Sequence, residues 1–129
     1  MSYYFSKAVQ AGSFEQAVEM AKAAVKEAGF GVVSEIDMRK TFDEKLNIKF
    51  KPYTIIGACN PQYAYKAVGL EPKIGLFLPC NFLVEEEKAG EYTISGIDPV
   101  EMMLAIENDQ LILAAYEIRD KIKKVIDAL

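Results

Sequence analysis

The chain has 129 residues, of which 51% are hydrophobic and 26% are charged, and 15 Lys+Arg against 19 Asp+Glu give it a formal net charge of −4. A chain of this length buries enough apolar surface to fold without disulfides or a structural metal, so we expect one domain over residues 1–129. Because the sequence contains no histidine, Ser-His and Cys-His catalytic pairs and His-ligated metal sites are excluded.

In chain order, the first half of the sequence predicts three strands and two helices. Residues 3–9 predict a strand, and Ser13 with Gln16 forms a capping box that begins a helix, which Gly29 ends. The apolar stripe of this helix recurs at spacings of three and four: Phe14, Val18, Ala21, Val25 and Ala28. Three further elements follow: a strand over residues 30–36, a surface helix over residues 38–46 and a strand over residues 53–59.

The next segment begins with a clear helix start. Asn60 is a favoured N-cap and Pro61 suits the first helical position, so a helix to about residue 68 is predicted. Residues 74–85 are predicted to form a long strand, with Pro79 marking a bulge or an edge. One parity of this segment is apolar throughout and is expected to face the core: Ile74, Leu76, Leu78, Cys80, Phe82 and Val84.

The last third of the sequence predicts a hairpin and two helices. A polar turn over residues 85–90 leads to a strand over residues 92–97, and Asp98 with Pro99 begins a helix. Residues 109–129 carry the strongest helical pattern, with an apolar stripe expected to cover the sheet: Leu111, Ala115, Ile118, Ile122, Val125 and Leu129. Its further apolar residues, Ile112, Leu113 and Tyr116, favour contact with a second copy, so a homodimer is expected.

These elements predict an α+β fold. We expect a two-layer sandwich in which a mostly antiparallel sheet of about five strands packs against helices, in the order βαβαβαββαα.

Charge and hydropathy limit the expected partners. An acidic chain without a dense Lys/Arg stripe is not expected to bind nucleic acid. No signal-peptide pattern and no run of 18 apolar residues occurs, which favours a cytoplasmic protein without a membrane partner. No residue pattern calls for a cofactor or a metal ion.

Four segments resemble the domain-of-unknown-function 302 (DUF302) family: residues 29–37, 42–46, 52–61 and 74–81. The Gly-x-Cys-Asn-Pro and Leu-Pro-Cys elements, at residues 57–61 and 78–80, are rarely found together. The resemblance implies a small bacterial α+β protein or module with no agreed activity. Family members often carry His in the helix after Asn-Pro, where this chain has Tyr65, and this departure argues against proton transfer or metal binding by that helix.

The two cysteines are the candidate reactive groups. Cys59 immediately precedes the Asn60 N-cap, where the positive end of a helix favours a thiolate; it is interpreted either as a packed, inert thiol, as a reactive thiol, or as part of a ligand-contacting backbone segment. Cys80 lies on the inward parity of its strand, which favours a core role. If the two strands are neighbours, a reversible disulfide between the cysteines is a further hypothesis.

Three functions follow as hypotheses, and whether the chain is an enzyme stays open. The first is a small-molecule binding module that holds an anionic or amphipathic ligand near Cys59, Asn60, Pro61 and Asn81, because Asn60 is the one neutral cap among the three strand-to-helix junctions. The second is a thiol-based redox or sulfur-handling protein that uses Cys59 with Cys80. The third is a dimeric scaffold or subunit without a site of its own.

Overall fold

A five-stranded antiparallel sheet in the order β1-β5-β4-β3-β2 forms one layer of the computed structural model, which describes residues 2–129. The strands are β1 (Tyr4–Val9), β2 (Gly31–Asp37), β3 (Tyr53–Cys59), β4 (Cys80–Lys88) and β5 (Glu91–Ile97). Register shifts mark bulges in β2, between Val32 and Ser34, and in β4, between Glu86 and Lys88. The predicted α+β class and antiparallel sheet are confirmed.

Helices form the second layer. The helices of the described residues are α1 (Phe14–Glu27), α2 (Met38–Leu46), α3 (Pro61–Leu70), α4 (Pro99–Met103) and α5 (Asp109–Asp127), with a 3₁₀ segment at Pro72–Phe77, and the second layer contains α1 and α5. Helices α1 and α5 pack on the same face of the sheet. Helix α5 packs closely on the sheet at Gly96 of β5. A Cβ atom added there would lie 2.8 Å from Ile122 Cγ2 of α5 and 2.9 Å from Phe82 Cε2 of the neighbouring strand β4.

Two predicted helix starts carry their caps. Ser13 Oγ accepts a hydrogen bond from the Gln16 N–H at 3.1 Å, and Asn60 Oδ1 accepts one from the Tyr63 N–H at 3.1 Å. The reciprocal half of the predicted capping box differs, since the Gln16 side chain accepts from the Gly12 N–H and not from the N–H of Ser13. The hydrogen bond from the backbone to the Gln16 side chain thus comes from Gly12, one residue earlier in the chain than the capping box predicts.

The predicted strand over residues 74–85 is wrong in its first half. Ile74 is fully buried as expected, but it belongs to the 3₁₀ segment, and Leu76 is 85% exposed. Strand β4 begins only at Cys80, immediately after Pro79, which has no N–H to donate to a sheet ladder. A run of alternate apolar residues therefore crosses the boundary between two elements, and parity alone does not show where one element ends.

The hairpin turn is shorter than predicted. Strand β4 continues to Lys88 and β5 begins at Glu91, so that only Ala89 and Gly90 connect them, with Gly90 at a φ of +82°. Residues 85–88, which the sequence assigns to a polar turn, are therefore strand residues, and they include the bulge between Glu86 and Lys88.

Helix α5 buries most of its predicted stripe and leaves part of its surface exposed. Leu111, Ala115, Ile118, Ile122 and Val125 are buried. Leu113 and Tyr116 remain 67% and 47% exposed. These are two of the residues for which the sequence favours contact with a second copy, and the homodimer stays a prediction.

Candidate functional site

One face of the sheet is left open, because α1 and α5 both pack on the other. Side chains of successive strand residues point to opposite faces, so each strand contributes alternate residues to the open side. In β4, for example, Phe82 and Val84 are fully buried, whereas Asn81 is exposed and Leu83 is half-buried. The open face is therefore a regular array whose neighbours follow from the strand register.

Three rows of side chains cross the open face. The first row is Ala8, Thr93, Glu85 and Tyr53, and the second is Ser6, Ser95, Leu83, Ile55 and Ile36. In the third row Tyr4 pairs with Ile97, and Gly57 lies between its two cross-strand partners, Asn81 and Ser34. Adjacent rows are two residues apart along each strand, a separation of about 6.6 Å. The array thus carries a carboxylate in its first row and an apolar floor in its second.

A concavity of about 470 Å³ lies over this array. It is lined by Tyr3, Tyr4, Ser6, Tyr53, Ile55, Asn81, Phe82, Leu83, Glu85, Glu87, Thr93, Ser95, Gly96 and Ile97. A smaller concavity of about 250 Å³ shares Asn81 and Ile97 with it and has mostly apolar walls: Leu76, Phe77, Leu78, Pro79 and Met102. The apolar walls lie beyond the third row, at the opposite end of the array from Glu85.

Glu85 in the first row and Glu87 beyond it form an ion cluster with Lys51. Lys51 Nζ lies 3.4 Å from Glu85 Oε1 and 3.4 Å from Glu87 Oε2. Burial, and secondly the neighbouring Glu87 carboxyl, raise the pKa of Glu85, whereas the neighbouring Glu85 carboxyl and the charge of Lys51 lower the pKa of Glu87. Burial alone would lower the pKa of Lys51, but its two carboxylate partners outweigh it and the pKa is raised. One ammonium group is thus shared by two carboxylates.

Hydroxyl groups and aromatic rings complete the lining. Ser6 Oγ and Ser95 Oγ lie 2.9 Å apart across β1 and β5, where either hydroxyl can donate. The rings of Tyr3 and Tyr4 meet edge to face with their centroids 5.1 Å apart. At the other side, the Tyr53 ring lies 5.9 Å from that of Phe50. Hydrogen-bonding groups and aromatic rings therefore stand around the apolar floor.

Of the predicted site residues, Asn81 lines both concavities, and Cys59, Asn60 and Pro61 line neither. The side-chain oxygen of Asn60 is already used as the cap of α3. A ligand at Cys59, Asn60 and Pro61 stays a prediction. The register nevertheless brings this segment near Asn81, since Gly57 is the cross-strand partner of Asn81.

The two cysteines lie near each other but in different surroundings. Cys59 is half-buried at the end of β3, with the parity of the open-face residues Tyr53 and Ile55, whereas Cys80 is buried on the helix side. The cross-strand partner of Cys80 is Ala58. Burial, and secondly the charge of Cys59, raise the pKa of Cys80 to about 12, so little thiolate forms there near neutral pH. The hypothesis of a disulfide between them stays a prediction.

Sequence reasoning missed the ion cluster. Residues 85–90 read as a polar turn, and Lys51 reads as one of several surface lysines. The signal that was available is parity: Glu85 and Glu87 continue the alternation of Asn81 and Leu83, so a longer strand places all four on one face. Tyr3 and Tyr4 fall in the first predicted strand, where aromatic side chains can line a pocket but usually belong to a core.

Two further searches bear on function. Within residues 2–129, no group of three or more Cys, Asp or Glu side chains converges in a way that could hold a metal ion. Over the same residues, none of the helices combines the length and the hydropathy that crossing a bilayer requires.

Comparisons with known proteins identify relatives of the whole fold. A family model described as "Domain of unknown function DUF302" matches residues 5–129. The chain is also similar to a crystal structure described as an uncharacterized conserved protein DUF302 from Bacillus stearothermophilus, with 25% sequence identity, a TM-score of 0.89 and coverage of 98% of each chain. No curated protein matches the chain. The family match extends beyond the resembling segments to the terminal strand and helix.

Proposed function

The chain belongs to the DUF302 family, and from the geometry of its open sheet face we propose that it binds a small amphipathic molecule there. The observation that carries the proposal is the concavity of about 470 Å³, in which an apolar floor lies between hydrogen-bonding groups and tyrosine rings. Small-molecule sites typically have volumes of roughly 300–1,000 Å³ and combine apolar walls with a few placed polar groups.

The floor supplies the apolar part of the interaction. Leu83 and Ile55 are cross-strand partners in the second row, and both are half-buried. Covering their remaining apolar surface gains about 25 cal/mol for each Å² removed from water. The concavity is open on one side, so part of a bound molecule stays in water and a modest affinity is expected.

The order of the rows supports a ligand with two unlike ends. The first row holds Glu85, and the walls beyond the third row are formed by Leu76, Phe77 and Leu78. Two row spacings separate Glu85 from the third row, a distance of about 13 Å along the strands. A molecule with a polar group at one end and an apolar chain or ring at the other matches this order.

The thiol function has weaker support. The half-buried position of Cys59 before the N-cap of α3 is compatible with a reactive thiol, one of the three interpretations that the sequence leaves open. Its suggested partner Cys80 has a pKa raised to about 12 by burial and by the charge of Cys59, which suppresses the thiolate that exchange requires. We therefore place the small-molecule function first and retain Cys59 alone as the candidate reactive residue.

Three eight-carbon amphipaths test the proposal: 1-octanol, octanoate and octylammonium. Binding is followed by amide chemical shifts and by tyrosine fluorescence, which is not masked because the chain has seven tyrosines and no tryptophan. We expect saturable shifts centred on Leu83, Ser95 and Ile55 for at least one probe. Shifts confined to the helical layer, or no saturable shift with any probe, contradict the proposal.

Two matched variants localise the binding. Ser95→Phe places a ring in the second row, in the middle of the concavity, and is expected to abolish the shifts. Val33→Phe makes a similar change on the edge strand β2, at an exposed residue outside the concavity, and is expected to leave the shifts unchanged. Equal loss in both variants contradicts binding on the open face.

A further inference from the structure

We propose that the polar end of the ligand is a protonated amine, held by the Glu85 and Glu87 carboxylates beside the Tyr53 ring. This inference rests on the proposed function and adds the chemical class of the ligand. It is carried by the position of these side chains on the concavity of about 470 Å³: both carboxylates line it, at the end opposite the apolar walls of the smaller adjoining concavity.

The charge of the concavity favours a cation. Among the described residues, Glu85 and Glu87 are the only charged side chains that line it. Lys51, which contacts both at 3.4 Å, offers a single positive charge to two negative ones. The cluster therefore keeps a net negative charge, which a second ammonium group neutralises and a carboxylate or phosphate increases.

Burial makes this charge more effective than one on an open surface. The Glu85 side chain is only 15% exposed, so it is poorly hydrated and its interactions are screened less than those of an exposed carboxylate. Glu87 is 49% exposed. An ammonium group bound between them thus has one well-solvated partner in Glu87 and one less solvated partner in Glu85.

Tyr53 supplies a second kind of contact for a cation. It is the direct cross-strand partner of Glu85, and both residues line the concavity. Side chains directly opposite in an antiparallel pair have Cβ atoms about 4.5–5.5 Å apart. A cation bound to Glu85 is therefore within reach of the Tyr53 ring, whose face attracts positive charge.

The hydroxyl groups of the first two rows fit the same ligand class. Thr93 is the cross-strand partner of Glu85 on its other side, and the Ser6 and Ser95 hydroxyls follow in the second row. A primary ammonium group has three donors, and hydroxyl oxygens accept hydrogen bonds as carboxylates do. The amine end thus has acceptors on both neighbouring strands, and the alkyl or aryl part lies over Leu83 and Ile55.

The test compares the three probes of equal chain length on the full chain. We expect octylammonium to bind roughly two- to five-fold more tightly than 1-octanol, the range that a partly exposed ion pair contributes, and octanoate to bind more weakly than 1-octanol. The preference is expected to shrink as salt is raised.

Variants assign the preference to the carboxylates. Glu85→Gln and Glu87→Gln are each expected to reduce octylammonium binding toward that of 1-octanol and to leave 1-octanol binding unchanged. Glu86→Gln is the control, because it removes the same charge from the same strand without lining the concavity. Lys51→Gln frees both carboxylates and is expected to strengthen octylammonium binding, a gain that misfolding cannot produce.

The outcomes separate the two proposals. If octylammonium, 1-octanol and octanoate bind alike, or if the preference survives in Glu85→Gln and Glu87→Gln, the amine assignment is overturned and the amphipathic site stands. If none of the probes binds, the proposed function is overturned together with the amine assignment. A preference for octylammonium that Glu86→Gln removes as fully as Glu85→Gln also overturns the assignment.

Discussion

The two faces of the sheet are built from alternate residues of the same strands, yet one is a core and the other is a candidate binding surface. In β4, Phe82 and Val84 are fully buried under α1 and α5, while Leu83 and Glu85 line the concavity. Most of the folding free energy is expected from the covered face, where apolar area is removed from water. The open face is thus free to carry polar and charged groups at little cost in stability.

The largest expected contrast lies between adjacent residues of β4. Phe82→Ala removes a fully buried ring that packs edge to face on Phe30 at 6.2 Å, and is expected to cost about 3–5 kcal/mol. Leu83→Ala, on the half-buried open face, is expected to cost about 1 kcal/mol. Urea unfolding of both variants measures the difference. Similar losses would show that the open face is covered in solution.

Gly57 is expected to be an exception to the contrast between the two faces, because it lies on the open face but is packed as closely as a core residue. It lies on the open face, yet an added Cβ would collide with Ser34 Oγ and come within 2.8 Å of Pro79 Cγ. Gly57→Ala is therefore expected to cost about 1–3 kcal/mol, as overpacking does in a core. Adding Ser34→Ala should recover part of the loss by removing the hydroxyl. The same unfolding experiment checks it, and a neutral Gly57→Ala contradicts the close packing of this corner.

The smallest expected effect is a pH dependence of stability that distinguishes the thiol of Cys80, on the covered face, from that of Cys59. The pKa of Cys80 is raised to about 12 in the folded chain from an ordinary value of 9.0. The contribution of the protonated thiol to stability is therefore intact below pH 9 and is lost as the pH rises toward 12. Between pH 9 and pH 10 the free energy of unfolding is expected to fall by about 1 kcal/mol more in the wild type than in Cys80→Ala.

Cys59→Ala is the control for that measurement, and we expect it to keep the wild-type pH dependence apart from the small influence of Cys59 on Cys80. Alkylation gives an independent check, because the half-buried Cys59 is expected to react in the folded chain and Cys80 only after unfolding. Equal alkylation of both thiols in the folded chain would contradict the burial of Cys80.

Patterns that repeat within one element were readable from the sequence. The stripe of α5, the N-cap at Asn60 and the strand that ends at Cys59 each depend on neighbouring residues, whose spacing fixes the local structure. The family resemblance was carried in part by two of these features, the strand that ends at Cys59 and the N-cap at Asn60. The order of elements along the chain followed directly from these local patterns, whereas the spatial strand order β1-β5-β4-β3-β2 depends on pairing between distant segments.

The site was harder to predict, because it depends on strands distant in sequence. Lys51 meets Glu85 and Glu87 across more than thirty residues, as the separation of 34 for Lys51 and Glu85 shows, and only the sheet register brings them together. Knowing that a strand is amphipathic also does not reveal whether anything covers its polar side. Cys59 and Asn60 are recognisable from local sequence, as a thiol next to a helix N-cap. Ser95 and Thr93 have no distinctive local pattern, and only the strand register shows that they line the concavity.

The position of β1 sets the order in which this surface can form during synthesis. The first strand pairs with β5, and Ser6 meets Ser95 across 89 residues of chain. Until residues 91–97 have left the ribosome, the nascent chain can build the β2-β3-β4 ladder but has no place for its first strand. The wall formed by Tyr3 and Tyr4 is therefore added only after β5 is complete, so a shorter nascent chain carries the acidic end of the concavity without these two rings.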